Sequence, residues 1–243
     1  MRRKALLIGN TRGLKDTPLD LYHVAKYLIS FQGGAWDLNE ILFLPDKRVE
    51  EILKEVEKVK NEQNDYVIVY FTGHGGFQDN TIIEVNPDNE LLKENSVFGL
   101  AERQLNVMDC CRAVQTTPLP FYGSSRGMSV AENEMRKKVR EEYENLIKCA
   151  APQIVRMYSC SEGESSYGTG KDGSYYTNNL LWSATELLKT NDVVRIYQCH
   201  EEAARMTAAQ VQSELKMNQH PSIIPAKCIE QAELPFGFNP TIF

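Results

Sequence analysis

The chain has 243 residues, and its formal net charge at pH 7 is −6. Hydrophobic residues make up 42% of it and charged residues 25%, which is typical of globular proteins and enough for one large domain or two small ones. The acidic balance argues against a nucleic-acid partner, which requires a basic face, and favours basic peptides instead.

The first apolar run, Ala5–Ile8, is too short for a secretory signal or a membrane span, so we expect no membrane partner. The six cysteines include no C-x-x-C pair. A chain of this length needs no disulfides, and the adjacent Cys110 and Cys111 would form a strained one. We therefore expect reduced cysteines in a cytoplasmic protein. The cysteine spacing matches no zinc-binding pattern, so we expect no metal and no cofactor.

The first half of the chain alternates between strand and helix patterns, which are short apolar runs and amphipathic stretches respectively. In chain order, these patterns predict a strand at Lys4–Gly9, a helix at Leu19–Phe31, a strand at Ile41–Leu44, a helix at Val49–Val59, a strand at Tyr66–Phe71, a small hairpin at Thr81–Val85 and a strand at Leu105–Met108. This alternation predicts an α/β fold, with a mostly parallel sheet and helices on both faces.

The second half begins with a loop rich in proline, glycine and serine. In chain order, the patterns predict that loop at residues 116–130, a charged helix at 131–149, a strand at Ile154–Tyr158, a second polar loop at 159–174, helices near Asn178–Leu188 and Glu201–Leu215, and a late strand at Pro221–Pro225. The charged run Arg136–Glu142 is expected to form a solvated helix face with i,i+4 ion pairs.

Two of the predicted strands end in groups that suit thiol catalysis. His74 follows the third strand in T-G-H-G-G, and Cys111 follows the fourth in M-D-C-C-R. Functional groups gather at the carboxyl ends of parallel strands, where this imidazole could take the thiol proton and the thiolate attack a carbonyl. Gly75 has no side chain, so its N–H and that of Cys111 could form an oxyanion hole. Cys110 is interpreted as a small buried apolar residue instead.

The stretches "YFTGHGG" and "NVMDCCR" resemble the caspase–metacaspase group of cysteine proteases. The resemblance is closer to metacaspases and their bacterial relatives, because Asp109 stands two residues before the cysteine where caspases have glutamine. Softer similarity is found in "KALLIGN", "IVRMYSCSEGESSY" and "QHPSI", so the resemblance covers most of the chain. Cys110 and Arg112 depart from the family pattern, which has Ser and His beside the nucleophile.

The resemblance implies a caspase-like three-layer sandwich that forms a single peptidase domain over residues 1–243. Residues 1–115 would be the large-subunit-like half, 116–150 a linker or insert, and 151–243 the small-subunit-like half. Cleavage of the chain between the halves is common in related enzymes. Arg126 lies in the exposed loop and is therefore a predicted autocleavage site. Calcium activates some relatives, and the sequence leaves open whether it does so here.

The resemblance also implies roles for individual residues. His74 would be the general base, Cys111 the nucleophile, Gly75 an oxyanion donor, and Asp109 the group that binds Arg or Lys before the scissile bond. A partly dry carboxylate gains most from a bidentate guanidinium. Glu162, with Glu164, is expected to widen this acidic pocket, and the alternative is that both are ordinary acidic residues of a surface loop. An alternative for Asp109 is that it caps the helix following its strand.

These observations predict a cysteine endopeptidase that hydrolyses peptide bonds after Arg or Lys, with a protein or peptide substrate and a regulatory or sensor protein as partners. One alternative is a catalytically inactive scaffold that binds partners through residues 116–150. Another is a redox-sensing domain that uses Cys110 and Cys111.

Overall fold

The computed structural model describes residues 1–113 and 132–242. The strands within these residues are β1 (Arg3–Gly9), β2 (Ile41–Pro45), β3 (Tyr66–Gly73), β4 (Gly75–Gln78), β5 (Asn80–Glu84), β6 (Leu91–Lys93), β7 (Arg103–Cys110), β8 (Gln153–Tyr158), β9 (Val193–Arg195), β10 (Ser222–Ile224) and β11 (Pro235–Phe238). The α-helices are α1 (Asp16–Ile29), α2 (Val49–Asn61), α3 (Glu132–Cys149), α4 (Tyr175–Leu187) and α5 (Ile196–Leu215).

The central sheet has six strands in the order β10-β8-β7-β3-β1-β2. The five strands from β8 to β2 are parallel, and β10 pairs antiparallel with β8 at one edge. Strands β3 and β7 occupy the middle and are buried on both faces, which explains their continuous apolar sequences. The sheet therefore agrees with the predicted mostly parallel α/β fold.

Helices and a small sheet cover the two faces of the central sheet. One apolar cluster joins one face to α1, α3, α4 and α5. A second cluster joins the other face to α2 and to the antiparallel sheet β4-β5-β6. This gives the predicted three layers, with the difference that the expected hairpin is a three-stranded sheet. It begins at Gly75, directly after His74.

The two C-terminal helices begin earlier than their sequence patterns indicate. Helix α4 starts at Tyr175, because the side chain of Ser174 accepts a hydrogen bond from the N–H of Thr177 and caps the helix. Helix α5 starts at Ile196, where it follows β9 without a loop. Strand β9 pairs with β11, and neither strand was expected from the sequence.

The charged face of α3 is a correction to the sequence interpretation, because its arginines are not simply solvated. Arg136 donates hydrogen bonds to the carbonyl oxygens of Ile29 and Trp36. Arg140 forms ion pairs with Asp37 and Glu40, and within α3 it pairs with Glu144. These contacts fix α3 to the connection between α1 and β2.

Candidate active site

The predicted base and nucleophile leave adjacent strands of the central sheet. The register of β3 and β7 pairs Thr72 with Asp109 and Gly73 with Cys110. His74 and Cys111 are the next residue on each strand, and neighbouring strands are about 4.8 Å apart. The structure therefore brings these two residues to the same edge of the sheet, at the carboxyl ends of its middle strands.

Close packing explains the glycines around His74. A Cβ on Gly75 would lie 2.6 Å from Cys110 Sγ and 2.9 Å from the carbonyl oxygen of Cys111, so any side chain would force the two strand ends apart. Gly73 has a φ of +148°, in the region that favours glycine. The turn that carries the imidazole thus rests directly against the segment that carries the thiol.

A main-chain carbonyl orients the imidazole of His74. Its Nε2 lies 3.1 Å from the carbonyl oxygen of Arg12, which can only accept a hydrogen bond. Nε2 must therefore carry the proton in the neutral ring, and Nδ1 is left as the basic nitrogen. Sequence reasoning found no partner for His74, because a carbonyl group has no signature in residue type.

The adjacent cysteines have different environments. Cys111 is partly buried, and its Sγ lies 3.5 Å from the carbonyl oxygen of Ser166. Cys110 is fully buried, and this burial raises the pKa of its thiol well above the usual value. Burial likewise raises the pKa of Cys160 to about 12. Cys111 is thus the most accessible thiol of these three cysteines.

Hydroxyl groups surround the carboxylate of Asp109, which is only 3% exposed. Ser166 Oγ donates to its Oδ1 at 2.9 Å, while Ser174 Oγ and Thr177 Oγ1 both donate to its Oδ2. Ser174 caps α4 and Thr177 lies in its first turn, at the end of the helix where the dipole favours a negative charge. These hydrogen bonds do not support the alternative that Asp109 caps a helix, because they come from hydroxyl groups rather than from main-chain N–H groups, and the cap of α4 is Ser174.

Two further aspartates, which sequence reasoning missed, lie near Asp109. Asp16, Asp20 and Asp109 line one cavity of about 50 Å³ that also reaches Cys110. Asp16 accepts hydrogen bonds from the main-chain N–H groups of Gly170 and Gly173. Asp20 accepts one from the main-chain N–H of Ser174 and one from the hydroxyl of Thr72. The only available signal was their spacing of one helical turn in α1.

The carboxylates of this cavity perturb one another. Burial, and secondly the charge of Asp109, raise the pKa of Asp20 well above the ordinary value. Burial also raises the pKa of Asp16, against the effect of its main-chain hydrogen bonds. Among the described residues, no lysine or arginine lines the cavity. The site therefore carries excess negative charge that a cation would relieve.

Glu162 lies elsewhere than in this cavity. Its carboxylate is 3.3 Å from Arg112 Nη2, and its side chain is 61% exposed. The guanidinium of Arg112 packs against two aromatic rings: its Cζ lies 4.1 Å from the ring centroid of Tyr158 and 4.9 Å from that of Phe77. Glu162 therefore helps to fix Arg112 beside Cys111, and the structure does not bring Glu162 to Asp109. Arg126 lies outside the described residues.

Within residues 1–113 and 132–242, no helix has the length and apolar character needed to cross a bilayer. The same residues contain no cluster of three His, Cys, Asp or Glu side chains arranged for a metal ion. All six cysteines are free.

Comparison with known proteins identifies the family. A search of curated proteins found no match. The family model of the caspase domain, however, matches residues 2–231. The chain belongs to the caspase family of peptidases. This membership confirms the predicted caspase-like relationship and, at the level of the family, a cysteine peptidase acting on proteins.

The fold of this caspase-family chain is similar to that of a solved caspase. The crystal structure of caspase-1 from Spodoptera frugiperda matches with a TM-score of 0.59, covering 92% of this chain and 86% of that chain. The two sequences are 13% identical, so this similarity concerns the fold. It confirms the predicted caspase-like α/β architecture.

Proposed function

We propose that this caspase-family chain is an active cysteine endopeptidase that cleaves after Arg or Lys, as metacaspase-like enzymes do. The observation that carries the proposal is the cavity beside the nucleophile, which is lined by Asp16, Asp20 and Asp109. Three carboxylates without a cation form a poor site for an acidic side chain and a favourable one for a guanidinium or an ammonium group.

The dyad chemistry follows from the orientation of His74. Its Nδ1 takes the proton of Cys111 Sγ, and the thiolate attacks the carbonyl carbon of the scissile bond. The N–H groups of Gly75 and Cys111 stabilise the oxyanion that forms. Collapse expels the amine, which receives the proton from His74, and leaves a thioester. A water molecule, deprotonated by His74, then hydrolyses the thioester and releases the thiol.

The hydrogen bonds of Asp109 leave it able to bind substrate. Its Oδ1 accepts one bond and its Oδ2 accepts two, whereas a carboxylate has about four acceptor positions. A basic side chain that enters the cavity can therefore bond to Asp109 without displacing the hydroxyls. Arg12 does not compete for this site, since its guanidinium binds Pro87 and Asn89.

The test compares the wild type with Cys111→Ala on three peptide amides that differ only in ending with Arg, Lys or Asp. We expect the wild type to cleave the Arg and Lys amides, and Cys111→Ala to lower kcat by at least about 10³-fold. Cys149→Ala is the matched control, because Cys149 is an exposed cysteine at the end of α3. Equal activity in the wild type and Cys111→Ala would reject the proposal.

The same experiment separates the alternatives. A peptidyl-arginine reagent directed at thiols should modify Cys111 in an active enzyme, whereas a scaffold would show neither cleavage nor modification. A redox sensor would show reversible oxidation without hydrolysis, and the raised pKa of Cys110 disfavours this role because thiols react as thiolates. A cytoplasmic location and a regulatory or sensor partner complete the proposal.

A further inference from the structure

Asn10 lies at the end of β1 and is completely buried beside the turn that carries His74. Its main-chain N–H donates to the carbonyl oxygen of Thr72 at 3.1 Å. Its side-chain Nδ2 donates to Glu84 Oε1 at 3.0 Å and to the carbonyl oxygen of Asn86 at 3.1 Å. Its Oδ1 accepts from the N–H of Arg12 at 3.0 Å. Asn10 thus joins β1, β3 and the β5–β6 turn.

These bonds lead to both the ring and the main chain of His74. The carbonyl oxygen of Arg12 accepts from His74 Nε2, and the main-chain N–H of Glu84 donates to the carbonyl oxygen of His74 at 3.0 Å. The side chain of Arg12 is fixed in turn by the carbonyl oxygen of Pro87 and by Asn89 Oδ1. Arg12 and Glu84, which are both hydrogen-bonded to Asn10, therefore hold the ring and the main chain of His74 respectively.

We propose that Asn10 is a positioning residue for the general base, an inference that rests on the proposed function. By fixing the N–H of Arg12, it holds the carbonyl of Arg12 where only the tautomer with a proton on Nε2 is favourable. This leaves Nδ1 free to take the thiol proton. Without Asn10, the ring also populates the tautomer protonated on Nδ1, which cannot act as the base.

The first measurement reads the tautomer without requiring activity. Nitrogen-15 NMR of histidine-labelled protein at a pH of about 9, in a Cys111→Ala background, reports which ring nitrogen carries the proton. The chain has four histidines, so the signal of His74 can be assigned by one substitution. We expect the Nε2–H form alone when Asn10 is present and a mixture in Asn10→Ala.

The matched control is Asn64→Ala. Asn64 is also buried, and its Nδ2 donates to the carbonyl oxygen of Val59 at 2.9 Å and to Glu62. It precedes β3, whereas His74 follows it, so about 25 Å of strand separates the two residues. A general loss of buried hydrogen bonds would affect both variants, whereas positioning of the base requires a tautomer change only in Asn10→Ala.

Kinetics on the Arg-ended peptide amide supply the second measurement. We expect Asn10→Ala to lower kcat by about 10²-fold, as misplaced catalytic groups do, while KM stays within about twofold. Asn64→Ala should leave both constants unchanged. Loss of kcat together with a tautomer mixture supports the proposal, and wild-type kcat with a single Nε2–H form overturns it.

A second variant, Asn10→Leu, keeps the test decisive if Asn10→Ala does not fold. Leucine has a similar volume but no polar atom, so it fills the buried position without binding the N–H of Arg12, and we expect a tautomer mixture and a kcat lowered by about 10²-fold. A single Nε2–H form with wild-type kcat in Asn10→Leu would overturn the inference. Failure of the proposed function looks different, because wild type and Cys111→Ala would cleave equally while the NMR result still reports on Asn10.

Discussion

In the proposed substrate pocket, we expect the protonation of Asp20 to couple substrate binding to pH. Because burial and Asp109 raise its pKa, Asp20 keeps its proton to a higher pH than the usual carboxyl value of about 4. Only the ionised form attracts a cation. We therefore expect the KM for an Arg-ended peptide amide to fall as pH rises through the raised pKa of Asp20. The KM for an uncharged analogue should not show this fall.

Asp20→Asn tests this coupling directly. The variant should raise the KM for the Arg-ended amide by about tenfold or more, since a charge-assisted hydrogen bond is lost, and it should flatten the dependence of KM on pH. Asp192→Asn serves as the control because Asp192 is exposed and outside the cavity. An unchanged pH dependence in Asp20→Asn would remove this residue from the substrate pocket.

The turn between β3 and β4 tolerates no side chain where it meets β7. We expect Gly75→Ala to lower kcat by about 10²-fold, because the new Cβ would overlap Cys110 Sγ and the carbonyl oxygen of Cys111 and displace the imidazole from the thiol. Steady-state kinetics and circular dichroism together measure activity and folding.

Gly76→Ala is the matched control at the neighbouring position. Its Cβ would lie 3.2 Å from the carbonyl oxygen of Ala113, a contact that a small shift can relieve. We expect less than about a tenfold loss of kcat in this variant, in keeping with the milder overlap. Equal losses in Gly75→Ala and Gly76→Ala would mean that the packing against β7 does not set the geometry of the dyad.

The elements that could be predicted from the sequence are those in which buried apolar residues follow a continuous or periodic pattern over several residues. Strands buried on both faces, such as β3 and β7, read as continuous apolar runs. Strands β9 and β11 have three and four residues, too few for a period to stand out. The start of α4 escaped prediction because its cap, Ser174, lies in a polar loop and depends on one local hydrogen bond.

The same physical distinction applies to the candidate site. The position of His74 and Cys111 at the same edge of the sheet could be predicted, because residue type and strand end can both be read from the sequence. The carbonyl of Arg12 could not be predicted as the partner of His74, because every residue has a main-chain carbonyl. Asp16 begins α1, where the helix dipole already provides a structural reason for an acidic residue, and Asp20 follows one turn later. Only the approach of α1 to Asp109 reveals a pocket.

At the scale of the whole molecule, a buried histidine links stability to pH. Burial lowers the pKa of His200 to about 4, and its Nδ1 lies 2.7 Å from the hydroxyl of Tyr176. The unfolded chain binds the proton near pH 6.5, so stability is complete above that pH and falls as pH decreases toward 4. The expected contribution is a loss of up to about 3 kcal/mol in the free energy of unfolding.

Chemical denaturation of His200→Gln between pH 7 and pH 4 measures this contribution. The variant should lose less stability than the wild type over this range, because its side chain does not titrate. His220→Gln is the control, since His220 is 59% exposed and bound to Glu164. Parallel curves for the wild type and His200→Gln would show that the buried imidazole does not set the acid sensitivity.

Cutting the chain at Arg126 should not separate its halves. Strand β7 from the first half pairs with β8 from the second along six residues, and Arg140 of α3 binds Asp37 and Glu40. We expect two fragments on a denaturing gel that elute together from a sizing column under native conditions. Arg126→Gln should block the cut, and full activity of this uncut variant would show that autocleavage is dispensable.

The acidic cavity has one further consequence, for the diversification of this protein. Two of its three carboxylates stand on α1, whereas the imidazole and the thiol stand on the ends of β3 and β7. If the cavity binds substrate as we propose, exchanges at Asp16 and Asp20 alter which residue is accepted while the reactive pair is inherited intact. Descendants of one ancestral hydrolase could in this way acquire new target proteins through a few substitutions on a single helix.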